Sequence, residues 1–168
     1  MFVYKHKGDD DMEKTMTTFA GSSSVTLILT KQHDPDAFYH TRSGLCVWDN
    51  FRSRVVAHAK PVEAGMNFKV DGFDLQQYLT DANIEVALPK EHLFGDGRLC
   101  AIIAELIARQ PNGEEGALLN NGFANLFYTG SCVVGVSWYA GRRRWVVRVW
   151  GRGGDRWCAG IRVFSPAN

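Results

Sequence analysis

The segment from Cys132 to Phe164, CVVGVSWYAGRRRWVVRVWGRGGDRWCAGIRVF, decides the fold. Apolar and arginine positions alternate along it, the pattern of strands with one dry face and one cationic face. Ala140-Gly141 is the natural two-residue turn within it. A hairpin closed there pairs Tyr139 with Arg142, Val136 with Trp145, Val134 with Val147 and Cys132 with Val149. The other face then sets Ser137 opposite Arg144, Gly135 opposite Val146 and Val133 opposite Arg148. One register thus sorts an apolar face from an arginine-bearing one, and a one-residue slip would exchange them.

A third strand follows the loop Gly151–Arg156. With Trp157, Ala159, Ile161 and Val163 inward, Cys158, Gly160, Arg162 and Phe164 point outward. Pairing Val147 with Ile161 places Arg162 between Arg144 and Arg148 without setting like charges directly opposite. The outer face then gathers Arg144, Arg148, Trp150, Arg162 and Phe164.

Working outward, the surest helix runs from about Gly97 to Arg109, capped by Asp96. Leu99, Ile102, Ile103, Leu106 and Ile107 keep the 3.6-residue stripe, and three alanines broaden it. Its apolar face predicts packing on the sheet face that holds Val134, Val136, Trp145, Val147 and Ile161. Gln110-Pro111-Asn112-Gly113 ends the helix, and Phe123–Thr129 opens a meander of strands. Upstream, Thr80 caps a short helix through Ala87, stopped by Pro89. Asp49 caps another that places Phe51, Val55, Val56 and Ala59 on one stripe before Pro61. Asp34-Pro35 starts a third, which Gly44 ends. Val25–Thr30 reads as a strand. Leu45–Trp48 is ambiguous, and residues 62–78 read as loop with a brief strand near Phe68–Val70. Residues 1–23, with Asp9, Asp10, Asp11 and a run of small polar residues, read as a flexible tail. The expected architecture is therefore α+β. Residues 24–168 form one globular domain: short helices in the N-terminal half, then the helix over about 97–109 on an antiparallel meander over about 123–164.

The totals agree with this. A chain of 168 residues with 45% hydrophobic and 22% charged residues has globular composition. It is long enough to bury roughly 70% of its unfolded surface. No apolar run reaches membrane-spanning length, and the N-terminus has no signal-like apolar core. Four cysteines without a CxxC pair fit reduced thiols in a cytoplasmic protein.

The net charge of +1 hides a segregation. Acids dominate between Pro61 and Gly116, whereas Arg142, Arg143, Arg144, Arg148, Arg152, Arg156 and Arg162 face only Asp155 after Gly130. The two blocks can pair within the fold, pair between subunits, or leave the basic one for an anionic partner.

The candidate binding residues are Arg142, Arg144, Arg148, Trp150, Arg152 and Arg162. Guanidinium groups take phosphates while an exposed indole stacks on bases, and the same groups form bidentate pairs with carboxylates. Solvent-facing arginines also block edge-to-edge aggregation. Cys100 is the one candidate nucleophile, because a thiol in the first turn of a helix has its pKa lowered by the helix dipole. However, all five histidines, ending with His92, precede it. His33, Asp34, Asp36 and His40 match no metal-site spacing, and the glycine-rich loop at 151–156 precedes a strand, unlike a phosphate-binding loop. No cofactor or metal is expected. The leading expectation is a non-enzymatic binding protein, of regulator or inhibitor type, for nucleic acid or an acidic protein surface. The alternatives are a cysteine hydrolase or transferase built on Cys100, and a structural protein that self-associates through its opposite charge blocks.

Overall fold

The Cys132–Tyr139 and Arg144–Gly151 strands do pair antiparallel, and around them the chain builds a seven-stranded, mostly antiparallel sheet. The computed structural model describes residues 18–40 and 42–167. The strands in chain order are β1 (Phe19–Ile28), β2 (Leu45–Val47), β3 (Asn67–Leu75), β4 (Leu79–Thr80), β5 (Asn125–Tyr128), β6 (Cys132–Tyr139), β7 (Arg144–Gly151), β8 (Arg156–Trp157) and β9 (Arg162–Pro166). The helices are α1 (Pro35–Phe38), α2 (Asp49–Arg54), α3 (Asp81–Ala87) and α4 (Asp96–Arg109). The main sheet runs β1-β3-β9-β5-β6-β7-β2, and β4 pairs with β8 in a small second sheet. The chain is α+β, as expected.

The hairpin turn differs from the expected one in a way that preserves both faces. Residues 140–142 make a 3-10 turn and Arg143 sits in the left-handed region at φ 48°. Tyr139 therefore pairs with Arg144, Val136 with Val147 and Val134 with Val149. The loop is two residues longer than Ala140-Gly141, and because side chains alternate with period two, a shift of two leaves every residue on its side. Val134, Val136, Trp138, Trp145, Val147 and Val149 lie in one core with Leu99, Ile103 and Leu106 of α4.

The third strand is a correction. β9 does not join β7; it lies between β3 and β5, antiparallel to the first and parallel to the second. Phe164 is buried on the α4 side, stacked on Phe127 at 4.8 Å, whereas Ile161 and Val163 belong to the core on the opposite face. The cause is the route of the chain. After β7 it passes under α3 through β8 and enters the sheet centre, where both faces are covered and alternation no longer marks an inside.

β3 covers residues that the sequence pattern reads mostly as loop. Its first half buries Phe68 and Val70 toward α4, and its second half buries Phe73 and Leu75 toward the other core. The charged Lys69 and Asp71 fall between, so no single alternation survives. Two of the three short helices keep their caps: the Asp34 carboxylate accepts from Ala37 N–H, and Thr80 Oγ1 accepts from Asn83 N–H, whereas in α2 Trp48, not Asp49, holds the N-cap position and makes no side-chain cap bond. α1 ends at Phe38, well before Gly44, and Gly95, not Asp96, holds the N-cap position of α4. Of the tail expected over 1–23, residues 1–17 lie outside the described residues, and Phe19–Ser23 belong to β1. No helix among the described residues is long and apolar enough to cross a membrane.

Candidate functional site

The sheet face turned away from α4 is covered over only part of its extent. Ile84, Ala87 and Leu88 of the α3 region, with Trp157, pack over Leu126, Tyr128, Val133 and Val163. Along β7 and β2 the face is open, presenting Cys46, Trp48, Arg144, Val146, Arg148 and Trp150 as half-buried or exposed side chains. β2 supplies Trp48 because it runs parallel to β7, with Leu45 opposite Trp145 and Val47 opposite Val147. Leu45 and Val47 thus point into the core, and Cys46 and Trp48 point out.

The centre of the open face is Arg148. Its guanidinium carbon lies 4.7 Å from the Trp150 ring centroid and 5.4 Å from that of Trp48. Both distances are within cation–π range. Trp48 remains 47% exposed. Trp150, paired with Val133, lies across the sheet rather than standing off it, because the diagonal β6 position opposite Arg148 is Gly135. A Cβ on Gly135 would sit 2.3 Å from Trp150 Cζ3, and the indole edge meets Trp157 at 5.1 Å. A glycine inside a strand marks such a close approach. Arg144, two residues before Val146 on the same strand face, has its Nε buried without a hydrogen-bond partner among the described residues. Arg142 and Arg143 are exposed at the hairpin tip. None of these four arginines forms an ion pair among the described residues.

Two of the expected binding residues stand elsewhere. Arg162 grips Asp74 with Nε at 2.6 Å and Nη2 at 2.9 Å, and its Nη1 donates to Ala117 C=O. Arg152 grips Glu85 with Nε at 2.9 Å and Nη2 at 2.5 Å, and reaches Gly130 C=O. Acidic and basic blocks therefore do meet inside the fold, at these two arginines. The Arg152 hydrogen bonds hold the Glu85 carboxyl below the usual range against its partial burial, and His92 Nε2 shares the same carboxylate at 3.1 Å.

A buried carboxylate that the sequence did not single out organises this region. Asp81, fully buried, accepts from Tyr128 Oη and Trp157 Nε1, each at 2.7 Å, and from the Gly153 and Asp155 N–H groups. Four donors on one carboxylate tie the Gly151–Arg156 loop to α3 and satisfy a charge that burial alone would penalise heavily.

Cys100 has the opposite environment from the one its helix position suggested. It is fully buried in the α4 core, and desolvation, with smaller contributions from Asp96 and Asp36, pushes its thiol up to about 12. Burial outweighs the helix dipole, so the group holds no thiolate at neutral pH. Among the described residues no three His, Cys, Asp or Glu side chains gather as metal ligands. Two recesses of about 140 and 270 Å³ lie beside the two ends of α4, lined by Phe68 and Arg98 in one and Phe38 and Arg42 in the other, and neither includes the arginine–tryptophan face. No family model matches the chain, and neither curated proteins nor solved structures yield a match.

Proposed function

We propose that this protein is a non-enzymatic binding module whose open β7–β2 face takes single-stranded nucleic acid. The observation that carries the reading is Arg148 held between the Trp48 and Trp150 rings while one indole stays half exposed. Stacking occupies the π face of a guanidinium and leaves its five N–H donors, which lie in the plane, available to phosphate oxygens. An exposed indole beside it offers a base a platform worth ~1–3 kcal/mol per stacked base. Arg142, Arg143 and Arg144 extend the positive charge along the same strand and hairpin tip. A flat sheet face has no element to insert into a duplex groove, which favours unpaired bases over double-stranded partners.

The test is anisotropy of a labelled oligothymidine titrated with the full chain, with unlabelled duplex as competitor. Trp48→Ala should weaken binding about tenfold, and Arg144→Glu/Arg148→Glu should abolish it, with circular dichroism unchanged in both. Equal competition by duplex, or full binding by the double variant, would sink the reading. Absence of binding at low salt would leave the face to an acidic protein surface.

A further inference from the structure

Among the described residues β1 is the outermost strand of the sheet and pairs on one side only, with β3. Across Phe19–Ile28 it carries no charged residue and no proline, the guards that usually keep an exposed edge from pairing. The opposite edge, β2, spans only Leu45–Val47. β1 has one irregularity, a bulge between Ala20 and Ser22 where Gly21 takes φ 70°, and beyond it Ser22–Ile28 runs in unbroken register.

Which groups face outward follows from the ladder. Leu29 N–H donates to Met66 C=O, and Leu29 C=O accepts from Gly65 N–H, so Leu29 faces β3. By alternation Leu27, Val25 and Ser23 also face β3, whereas Ile28, Thr26, Ser24 and Ser22 turn their N–H and C=O groups outward. An independent contact agrees: Thr26 C=O accepts from Arg109 Nη2 at 3.1 Å, from the α4 side of the edge.

We propose that a second copy of this chain docks on the outer edge of β1, the two strands antiparallel about a two-fold axis at Val25. The charge rows select that register. Thr26 stands opposite Lys69 and Ser24 opposite Asp71, on the face away from α4. An axis at Ser24 would align the Asp71 rows of the two copies, and an axis at Thr26 would align their Lys69 rows. An axis at Val25 continues each Lys69 row into the Asp71 row of the other copy, so opposite charges share a row. It also sets half-buried Val25 against its own symmetry mate on the α4 face, where it already packs on the core. Ser24 N–H of the second copy then takes over Thr26 C=O from Arg109. A neutral, self-complementary edge with a two-fold is the closed arrangement homodimers use.

Such an axis is perpendicular to the sheet, so both open arginine–tryptophan faces lie on one side of a continuous sheet. At ~4.8 Å per strand step the two β7 strands are on the order of 50 Å apart. Resting on the nucleic-acid reading, this predicts that an oligonucleotide long enough to span both faces binds the dimer far more tightly than a short one.

Sedimentation of the full chain without nucleic acid tests the dimer on its own. The wild type should form dimers as its concentration rises through the micromolar range. Thr26→Pro removes an outward donor without removing a β1–β3 bond and should be monomeric with an unchanged circular dichroism spectrum. If the proline disturbs the fold, Ser22→Lys/Ile28→Lys, at two exposed positions, decides instead. A wild type that stays monomeric into the hundred-micromolar range, or lysine variants that dimerise like the wild type, would overturn the proposal. Either monomeric variant should still bind a short oligonucleotide, so loss of the dimer and failure of the binding face are read separately.

Discussion

Two tryptophans seven residues apart in adjoining strands, Trp138 and Trp145, show how much a single side chain decides here. Trp145 is fully buried, meets Trp138 at 5.3 Å between ring centroids, and donates Nε1–H to Gln110 C=O at 2.6 Å. That bond satisfies a carbonyl at the C-cap of α4 and ties the helix to the sheet. Trp145→Ala should therefore cost ~3–5 kcal/mol in chemical denaturation. A loss below about 1 kcal/mol would mean the indole is not the core anchor described. At this scale the sequence was legible where neighbours are local: Trp145, Arg144 and Arg148 stand on the faces that alternation assigns them. It was opaque where a partner is remote. Arg148 and Arg162 look alike in sequence, yet Arg162 is taken by Asp74, 88 residues away, and Arg152 by Glu85, 67 residues away. Trp48 could have been found, since Leu45 and Val47 alternate with Cys46 and Trp48, but three residues are too few to separate a strand from a helix start.

Among the elements, α3 and the Gly151–Arg156 loop behave as one unit, held by Asp81 inside and by the Glu85–Arg152 pair at its rim. The pair supplies a pH dependence whose sign can be worked out. Glu85 titrates lower in the folded chain than in the unfolded one, chiefly through its hydrogen bonds from Arg152. Its stabilising contribution is thus fully present above the unfolded carboxylate pKa and is lost as pH falls through the lowered folded value. Glu85→Gln should flatten that acidic part of the stability curve while leaving neutral-pH unfolding cooperative. A curve of unchanged shape below the ordinary carboxylate range would count against the pair. Local signals announced α2, α3 and α4, because periodicity is written within one element, although only α3 of the three keeps its expected cap. The extent of β3 and the neighbours of β9 were not legible, because β3 buries opposite faces in its two halves, β9 is covered on both faces, and crossover connections rather than local pattern choose their neighbours.

For the molecule as a whole, charge segregation resolves into two uses. Part of the basic block is consumed inside the fold by Asp74 and Glu85, and the part on β7 and its hairpin tip faces outward beside two indoles. On the function proposed above, this remainder is a phosphate-and-base platform. The measurement that reaches it most directly is the salt dependence of oligothymidine affinity for the wild type and for Arg148→Ala. With up to four arginines engaged, log K should fall against log salt with a slope of about −2 to −3. Arg148→Ala should make that slope shallower by ~0.7, the share of one phosphate on a single strand. A slope near zero, or one that Arg148→Ala leaves unchanged, would rule out that role for the face.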